Sequence, residues 1–218
     1  MTKIPQDAAD LPYAHALEPG PSPLQRDRDY DLCHFESAEV RDADVGSSRF
    51  TECAFENVQF DTVRLRRAKF TDVWWRGSRL LTADFAETEW LDATMLSSAL
   101  AGIDAFGTQL RRVVFQRCKL DAVNLRGAAL YEVVFEDCIL RDVDFSGAKL
   151  TQVRFPGTAL RGTKFAKSKL AKVDFRDATV VEVIDGYQNL RGAVIDSGQA
   201  VELSANLAQA LGISVKDQ

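Results

Sequence analysis

A large apolar residue recurs at every fifth position along most of this chain. Between residues 35 and 195, 33 positions are multiples of five, and 24 of them hold Phe or Leu. Only Ala105 and Asp185 fit the series poorly. Twelve of the thirteen phenylalanines lie in it, and Phe106 is the exception. A period of five matches neither an α-helix nor a β-strand, so the pattern predicts a repeat architecture.

A second series lies two residues before each member of the first. Of its 33 members, 31 are Ala, Val, Ser, Thr or Cys, and Ile103 and Gln188 are the exceptions. Each five-residue unit therefore has one large and one small inward side chain, which together can fill a narrow interior without voids. The three remaining residues are mostly polar and face water. The two series predict an all-β solenoid whose wall is built from five-residue sides.

Individual units resemble the pentapeptide-repeat family, whose consensus is A(D/N)LXX. Residues 148–152 read AKLTQ, residues 143–147 read VDFSG and residues 173–177 read VDFRD. The resemblance extends over residues 31–195. It implies a right-handed quadrilateral β-helix with four units per coil, and hence about eight coils.

Residues 20 apart should then stack on one another, and the sequence favours this grouping. One column of this spacing is almost entirely aromatic: Phe35, Phe55, Trp75, Met95, Phe115, Phe135, Phe155 and Phe175. Another column is Leu80, Leu100, Leu120, Leu140 and Leu160. At about 4.8 Å between coils, eight coils make a rod of roughly 40 Å.

The two ends lie outside the repeat. Residues 1–30 hold five of the six prolines, which predicts an extended or disordered tail or an irregular lid. Residues 196–218 are expected to form a helix and tail, with Ser197 as the N-cap, the helix running through about Leu211 and Gly212 ending it. This helix could cap the open coil end or pair with a second copy, as in several members of the family that the chain resembles. We expect a homodimer, through the apolar residues Val201, Leu203, Leu207 and Leu211.

No enzymatic motif is evident, and we expect no catalysis, cofactor or metal. The two histidines lack neighbours with metal-site spacing. All four cysteines hold small inward positions, in pairs 20 apart: Cys33 with Cys53, and Cys118 with Cys138. Disulfides are possible by distance alone, but buried free thiols are favoured.

The net charge of −5, the lack of a membrane-length apolar run and the lack of an apolar leader at the N-terminus favour a cytoplasmic protein without membrane contact.

Charge is distributed unevenly along the rod. Residues 31–110 hold 14 acidic and 8 basic residues, whereas residues 111–195 hold 10 acidic and 15 basic residues. Two acidic stripes follow the 20-residue spacing: Glu52, Asp72 and Asp92, and Asp84, Asp104 and Asp144 with Asn124 between them. A mixed solvated wall is the alternative interpretation. The basic residues between 161 and 176 spread over several sides, so direct nucleic-acid binding is not expected.

The middle of the repeat carries outward apolar residues, namely Trp74, Leu81, Leu91 and Leu96. They indicate either a partner surface or a local distortion. Near Ala105 a bulge is predicted, with Phe106 turned inward to replace the missing large side chain.

Some members of the family that the chain resembles bind type II topoisomerases by mimicking DNA. We therefore expect a non-enzymatic protein-binding rod, with DNA gyrase or topoisomerase IV as the first candidate partner. The alternative is a scaffold module that docks an unrelated protein through its apolar middle.

Overall fold

The computed structural model describes residues 4–215 and is a parallel β-solenoid of about eight coils. Within each sheet, a strand pairs in parallel with the strand one coil further along, mostly 20 residues away. Phe35 lies opposite Phe55, and Leu100 lies opposite Leu120. Side chains of one type therefore stack along the axis, as the 20-residue columns predict.

Each coil has four faces, which we number in chain order from the face that contains Phe35. Face 1 carries the strands Glu18–Pro19, Cys33–Glu36, Ala54–Glu56, Trp74–Arg76, Thr94–Leu96, Val114–Gln116 and Val134–Glu136, and further along the pair Val173–Asp174 and Ala193–Val194. Face 2 carries Glu39–Arg41, Gln59–Asp61, Arg79–Leu81, Ala99–Ala101, Lys119–Asp121, Ile139–Arg141, Ala159–Lys164 and Val180–Asp185.

Face 4 carries Asp29–Asp31, Arg49–Thr51, Lys69–Thr71, Glu89–Leu91, Gln109–Arg111, Ala129–Tyr131, Lys149–Thr151 and Lys169–Ala171. Face 3 has single bridges instead of strands, joining Asp44, Arg64, Asp84, Asp104, Asn124, Asp144 and Lys164 in order.

A left-handed residue makes each corner between faces. Positive φ recurs every five residues from Asp27 to Lys172, and only seven of these thirty corner residues are glycine. The others accept an unfavourable backbone region because the corner amide is hydrogen-bonded to the next coil. The amide of Asp72, for example, donates to the carbonyl of Leu91 at 3.0 Å.

Stacked rings fill much of the interior. In the aromatic column, ring centroids lie 4.9 Å apart for Phe35 and Phe55, and 3.8 Å apart for Phe55 and Trp75. The second half repeats the arrangement, with Phe135 and Phe155 5.3 Å apart. The rings of these pairs are nearly parallel, and aromatic contacts of this kind stabilise a core beyond the burial of their area.

The middle of the rod contains an apolar cavity of about 40 Å³ rather than a bulge. Its lining includes Trp90, Ala105, Leu110 and Phe115. The coil keeps its register here, with left-handed corners at Gly102 and Gly107. The prediction that Phe106 turns inward is therefore wrong. Phe106 keeps the outward position next to Ala105 and is 49% exposed.

The last coil contains the irregularity that Asp185 indicates. Leu160 pairs with Val181 and Lys164 with Asp185, both 21 residues away, whereas Thr163 pairs with Val183, 20 away. One residue has thus been inserted and partly absorbed by a bulge. Residues 186–192 then cross the coil end, with a 3-10 turn at Tyr187–Asn189.

The N-terminal residues pack on face 1 rather than extending into solvent. Residues 4–17, which we call the N-terminal strap, contain the 3-10 turns Ala8–Asp10 and Ala14–Ala16. Leu11 and Tyr13 of the strap are buried against Ala54, Trp74 and Leu96.

Helix α1 (Ser197–Ala210) covers the C-terminal coil end. Its N-cap is Asp196, one residue before the predicted Ser197, and it forms a reciprocal capping box with Gln199. Leu203 is buried on the end of the core. Gly212, at φ 75°, follows the helix. No helix within residues 4–215 is long and apolar enough to cross a membrane.

Candidate partner-binding site

The predicted apolar partner surface is largely covered. Trp74 is only 1% exposed, and so is Leu96. The strap fixes Trp74 further, since the indole Nε1 donates to the carbonyl of Pro5 at 3.1 Å. Leu81 is half-buried on face 2 and Leu91 half-buried on face 4. The prediction of one exposed surface from these four residues is wrong, because the chain supplies its own cover for two of them and the other two lie on different faces.

The acidic stripe on face 3 is held by backbone contacts. Asp84, Asp104 and Asp144 each accept a hydrogen bond from the amide two residues further on, at 2.9, 3.1 and 2.8 Å. These are Asx turns, in which the carboxylate shapes the corner. Arg66 lies 3.5 Å from Asp84, and Arg126 lies 4.0 Å from Asp144. The stripe therefore serves the fold and is partly neutralised.

The other stripe forms a continuous acidic corner between faces 4 and 1. Glu52, Asp72 and Asp92 are consecutive left-handed corner residues, one per coil, so they stack at the coil spacing of about 4.8 Å. We call these three residues the acidic corner. Arg112 ends it, because its guanidinium bonds both oxygens of Asp92, at 2.5 and 2.7 Å.

Asp72, at the centre of the acidic corner, is electrostatically strained. Partial burial raises the pKa of Asp72, and the carboxylates of Asp92 and Glu52 raise it further. No ion pair holds Asp72 or Glu52 among the described residues. Arg112, which bonds Asp92, offsets this rise only in part. Carboxyl groups with perturbed pKa values are found often at functional sites, which makes the acidic corner a candidate site.

The strap borders the acidic corner and fixes its backbone. The hydroxyl of Tyr13 donates to the carbonyl oxygen of Asp72 at 2.7 Å. Burial raises the pKa of Tyr13, so the phenol stays neutral and remains a donor at physiological pH. Further along the strap, Asp7 pairs with Arg76, and Gln6 Nε2 donates to Gln116 at 3.2 Å.

The packing of the strap on face 1 could not be predicted from the sequence. The signal present is the set of apolar residues among the prolines, Ile4, Leu11, Tyr13 and Leu17, which all pack near Trp74. Their spacing follows neither period of regular secondary structure, so nothing local indicates which face they cover.

Lysines gather near the far end of face 4. Lys149 and Lys169 are paired neighbours on face 4, and Lys167 and Lys172 occupy the corners on either side of it. Arg161 and Lys164 lie on faces 2 and 3. The predicted spread of the basic residues between 161 and 176 over several sides is confirmed, since they occupy faces 2, 3 and 4 and the corners of face 4.

The cysteines are free thiols in the interior wall. Burial raises the pKa of Cys53 to about 12, which suppresses the reactive thiolate at neutral pH. Within residues 4–215, no group of three or more His, Cys, Asp or Glu side chains is arranged to hold a metal ion.

The four predicted dimer residues of α1 divide into two sets. Leu203 is buried and Leu207 is partly buried against the chain's own core. Val201 is 75% exposed and Leu211 is 73% exposed. The helix is therefore an intramolecular cap that leaves part of its apolar surface in solvent.

Known protein families and solved structures resemble this chain in its repeat region. The family model described as a pentapeptide repeat region matches residues 108–183. Curated proteins yield no significant match. A trypsin-treated variant of QnrB1, a plasmid-mediated fluoroquinolone resistance protein, is 13% identical, with 87% of this chain and 99% of that chain covered and a TM-score of 0.46.

Two further solved structures come from cyanobacteria. Rfr23 from Cyanothece 51142 is 14% identical over 61% of this chain and 90% of that chain, with a TM-score of 0.47. HetL from Nostoc sp. strain PCC 7120 is 17% identical over 81% of this chain and 94% of that chain, with a TM-score of 0.23. At these sequence identities and TM-scores, the functions of the three proteins are not assigned to this chain. The family-model match identifies residues 108–183 as a pentapeptide repeat region, and the left-handed corner in every unit of five extends the same repeat geometry from Asp27 to Lys172.

Proposed function

We propose that this chain is a non-enzymatic binding rod whose acidic corner docks a basic surface of a protein partner. The observation that carries the proposal is the stack of Glu52, Asp72 and Asp92, one carboxylate at the same corner of each of three consecutive coils. Because neighbouring carboxylates raise the pKa of Asp72, a cationic partner would relieve repulsion on binding.

A type II topoisomerase, DNA gyrase or topoisomerase IV, is the partner class that we propose. These enzymes carry basic surfaces for duplex DNA, whose charges are spaced along a rod. The acidic corner offers a short line of charge of the same sign along the rod. Because the three carboxylates lie at the surface and are screened by salt, the affinity should fall as ionic strength rises.

A scaffold role through the apolar middle has less support. It requires Trp74 and Leu96 at the surface, whereas both are buried beneath the strap. The acidic corner stays accessible beside the strap and needs no rearrangement.

Binding to purified gyrase, together with supercoiling and quinolone-poisoned cleavage assays, tests the function. The test variant combines Glu52→Gln with Asp72→Asn, which removes two charges and keeps side-chain shape. The matched control combines Asp42→Asn with Asp142→Asn, which removes two charges from exposed left-handed corners between faces 2 and 3. We expect at least about tenfold weaker binding for the test variant and less than about twofold for the control.

Two outcomes would contradict the proposal. The first is the absence of a measurable complex and of any effect on gyrase at micromolar protein. The second is an equal loss of binding in both double variants, which would show that binding depends on the net charge of the protein and not on the acidic corner.

We also propose that two copies pair through the exposed apolar surface of α1. Val201 and Leu211 supply that surface, and Ile213 beyond the helix is also exposed. Replacing Val201 and Leu211 by Asp should convert a dimer into a monomer in light scattering while the melting temperature stays nearly unchanged. Identical masses for the original chain and this variant would exclude α1 as the dimer contact.

A further inference from the structure

The N-terminal end of the solenoid lacks a wall on one side. On face 1 the first strand, Cys33–Glu36, is covered by Glu18–Pro19, with which it pairs. Leu24 is buried against the core from the same end. On face 2, by contrast, the first strand Glu39–Arg41 pairs only with Gln59–Asp61 and is the last strand of its sheet. Its outer edge has no strand partner among the described residues.

A cavity of about 760 Å³ lies beside this open edge. Residues 17–24 form one side, and the first coil forms the other. Its volume falls within the usual range for ligand sites, roughly 300–1,000 Å³.

Inward residues of the first coil are uncovered where they line this cavity. Ala38 and Val40 hold inward positions of the repeat, yet both are half-buried. The residues stacked above them, Val58 and Phe60, are fully buried. The core positions are therefore present, and what is missing is the next layer that would cover them.

The segment that crosses this end cannot supply the missing layer. Residues 20–23 read Gly-Pro-Ser-Pro, and their side chains are small. Pro21 and Pro23 have no amide hydrogen to donate to a ladder. Gly20 lies against face 1 instead of the open edge, since a Cβ on it would be only 2.2 Å from the ring of Phe35.

We propose that this N-terminal groove binds an extended peptide segment of a partner protein, which adds a strand to the edge Glu39–Arg41. The unpaired edge offers backbone donors and acceptors that an extended chain satisfies. One large apolar side chain of the peptide, Leu or Phe, would stack on Val40 as Phe60 does from the other side.

Charge at the rim defines the partner further. Glu18, Glu36 and Glu39 surround the groove, and Arg41 is engaged with Glu39 at 3.3 Å. The recognised segment is therefore a short extended stretch with a central Leu or Phe and flanking Lys or Arg. This site is independent of the acidic corner, which lies between faces 4 and 1.

Titration of the full-length chain with a fluorescein-labelled peptide of sequence KTVTLTVTK tests the proposal. Fluorescence anisotropy should show saturable binding with a Kd below about 1 mM. Amide chemical shifts should change at residues 38–43 and not on face 4. The same peptide with an N-methyl group on its central Leu cannot complete the ladder, and should bind at least about tenfold more weakly.

A matched pair of variants locates the site. Val40→Lys places a charge in the groove and should weaken binding at least about tenfold. Ile139→Lys, at an exposed position on the same face about five coils along, should leave it within about twofold. The melting temperature of each variant checks that it is folded, and the N-methyl comparison does not depend on any variant.

Three results would overturn the proposal. One is the absence of saturation at 1 mM peptide. Another is equal binding of the N-methylated peptide, which indicates adsorption without strand addition. The third is a concentration-dependent shift of residues 38–43 without peptide, which would assign the groove to a second copy of the chain.

Discussion

At the scale of single residues, Ala105 leaves a gap that its neighbours do not fill. The peptide bond that precedes it is hydrogen-bonded to both neighbouring coils. The amide of Ala105 donates to the carbonyl of Asn124 at 2.8 Å, and the carbonyl of Asp104 accepts from the amide of Phe85 at 2.6 Å. The coil therefore cannot move inward, and the large side chains of Trp90 and Phe115 are held by their own strands. The cavity remains because the ladder is rigid.

Filling this gap should stabilise the protein. Ala105→Leu restores the residue type most common in the series and should raise the free energy of unfolding by about 0.5–2 kcal/mol. Ala128→Leu is the control, because Ala128 is fully buried in a filled part of the core. It should lower stability by about 1–3 kcal/mol through overpacking. Urea denaturation measures both, and a loss of stability in Ala105→Leu would contradict the cavity.

Two aspartates should respond to pH with opposite signs. The pKa of Asp72 is raised in the folded state, so its ionisation lowers stability as the pH rises through that raised pKa. Asp72→Asn should therefore stabilise the protein slightly at pH 7, by less than about 1 kcal/mol. The gain should vanish below about pH 4, where the carboxyl is protonated in both states.

Asp174 is the counterpart. Its hydrogen bond with Arg176 lowers the pKa of Asp174, so its contribution to stability is present at neutral pH and is lost as the pH falls through the lowered value. Asp174→Asn should destabilise at pH 7 and have no effect in strong acid. Melting temperatures from pH 2 to 8 test both variants, and equal signs for the two at pH 7 would contradict the assignment.

At the scale of elements, both terminal segments of the chain cover groups that the solenoid leaves exposed. The strap covers outward apolar residues of face 1. Helix α1 instead closes the open core: Gln199 is buried and its Nε2 donates to the carbonyl of Phe175 at 2.7 Å. That one side chain also completes the capping box with Asp196.

Removing this side chain should weaken the cap. Gln199→Ala removes the side-chain donor to the carbonyl of Phe175, which keeps only the amide of Ala178, and it also breaks the capping box with Asp196. It should lower the free energy of unfolding by about 1–3 kcal/mol. Gln209→Ala, at an exposed position in the same helix, should change it by less than about 0.5 kcal/mol. Thermal and urea unfolding measure both. Equal effects of the two substitutions would show that the contacts of the Gln199 side chain add no stability beyond that of any residue in the helix.

At the scale of the whole molecule, two aromatic halves meet at a less densely packed middle. Tyr30 to Trp90 form one network of ring contacts, and Phe115 to Phe175 form another. Met95, Ala105 and the cavity lie between them. The stability of a solenoid depends on the contacts between neighbouring coils. Because these contacts are weaker around the cavity, the rod can open locally there.

Hydrogen exchange should detect this difference. Amides of the face 2 strand Ala99–Ala101 should exchange faster than those of Arg79–Leu81 and Ile139–Arg141, which are paired in the same way on the same face. Ala105→Leu should slow the middle strand and leave the other two unchanged. Equal protection of all three strands would contradict a weak middle.

The repeat could be predicted from sequence because its rule is local. Each unit of five determines which side chain points inward, and identical units stack only when they are in register. The parallel coils and the aromatic and leucine columns followed from this rule, whereas the helix after residue 196 followed from the capping residues where the period ends. The inward turn of Phe106 did not, because the ladder keeps its register even where Ala105 leaves a cavity.

The candidate sites depended on contacts that the repeat does not encode. The period alone makes Trp74 and Leu96 outward, and only the packing of residues 4–17 against face 1 buries them. Both acidic stripes look alike in sequence, but Asx turns and arginines occupy the stripe on face 3 and leave Glu52 and Asp72 without ion pairs among the described residues. The sequence by itself thus determined the fold, because stacking is a nearest-neighbour property. Tertiary structure decided which surfaces are free, because that depends on segments far apart in the chain.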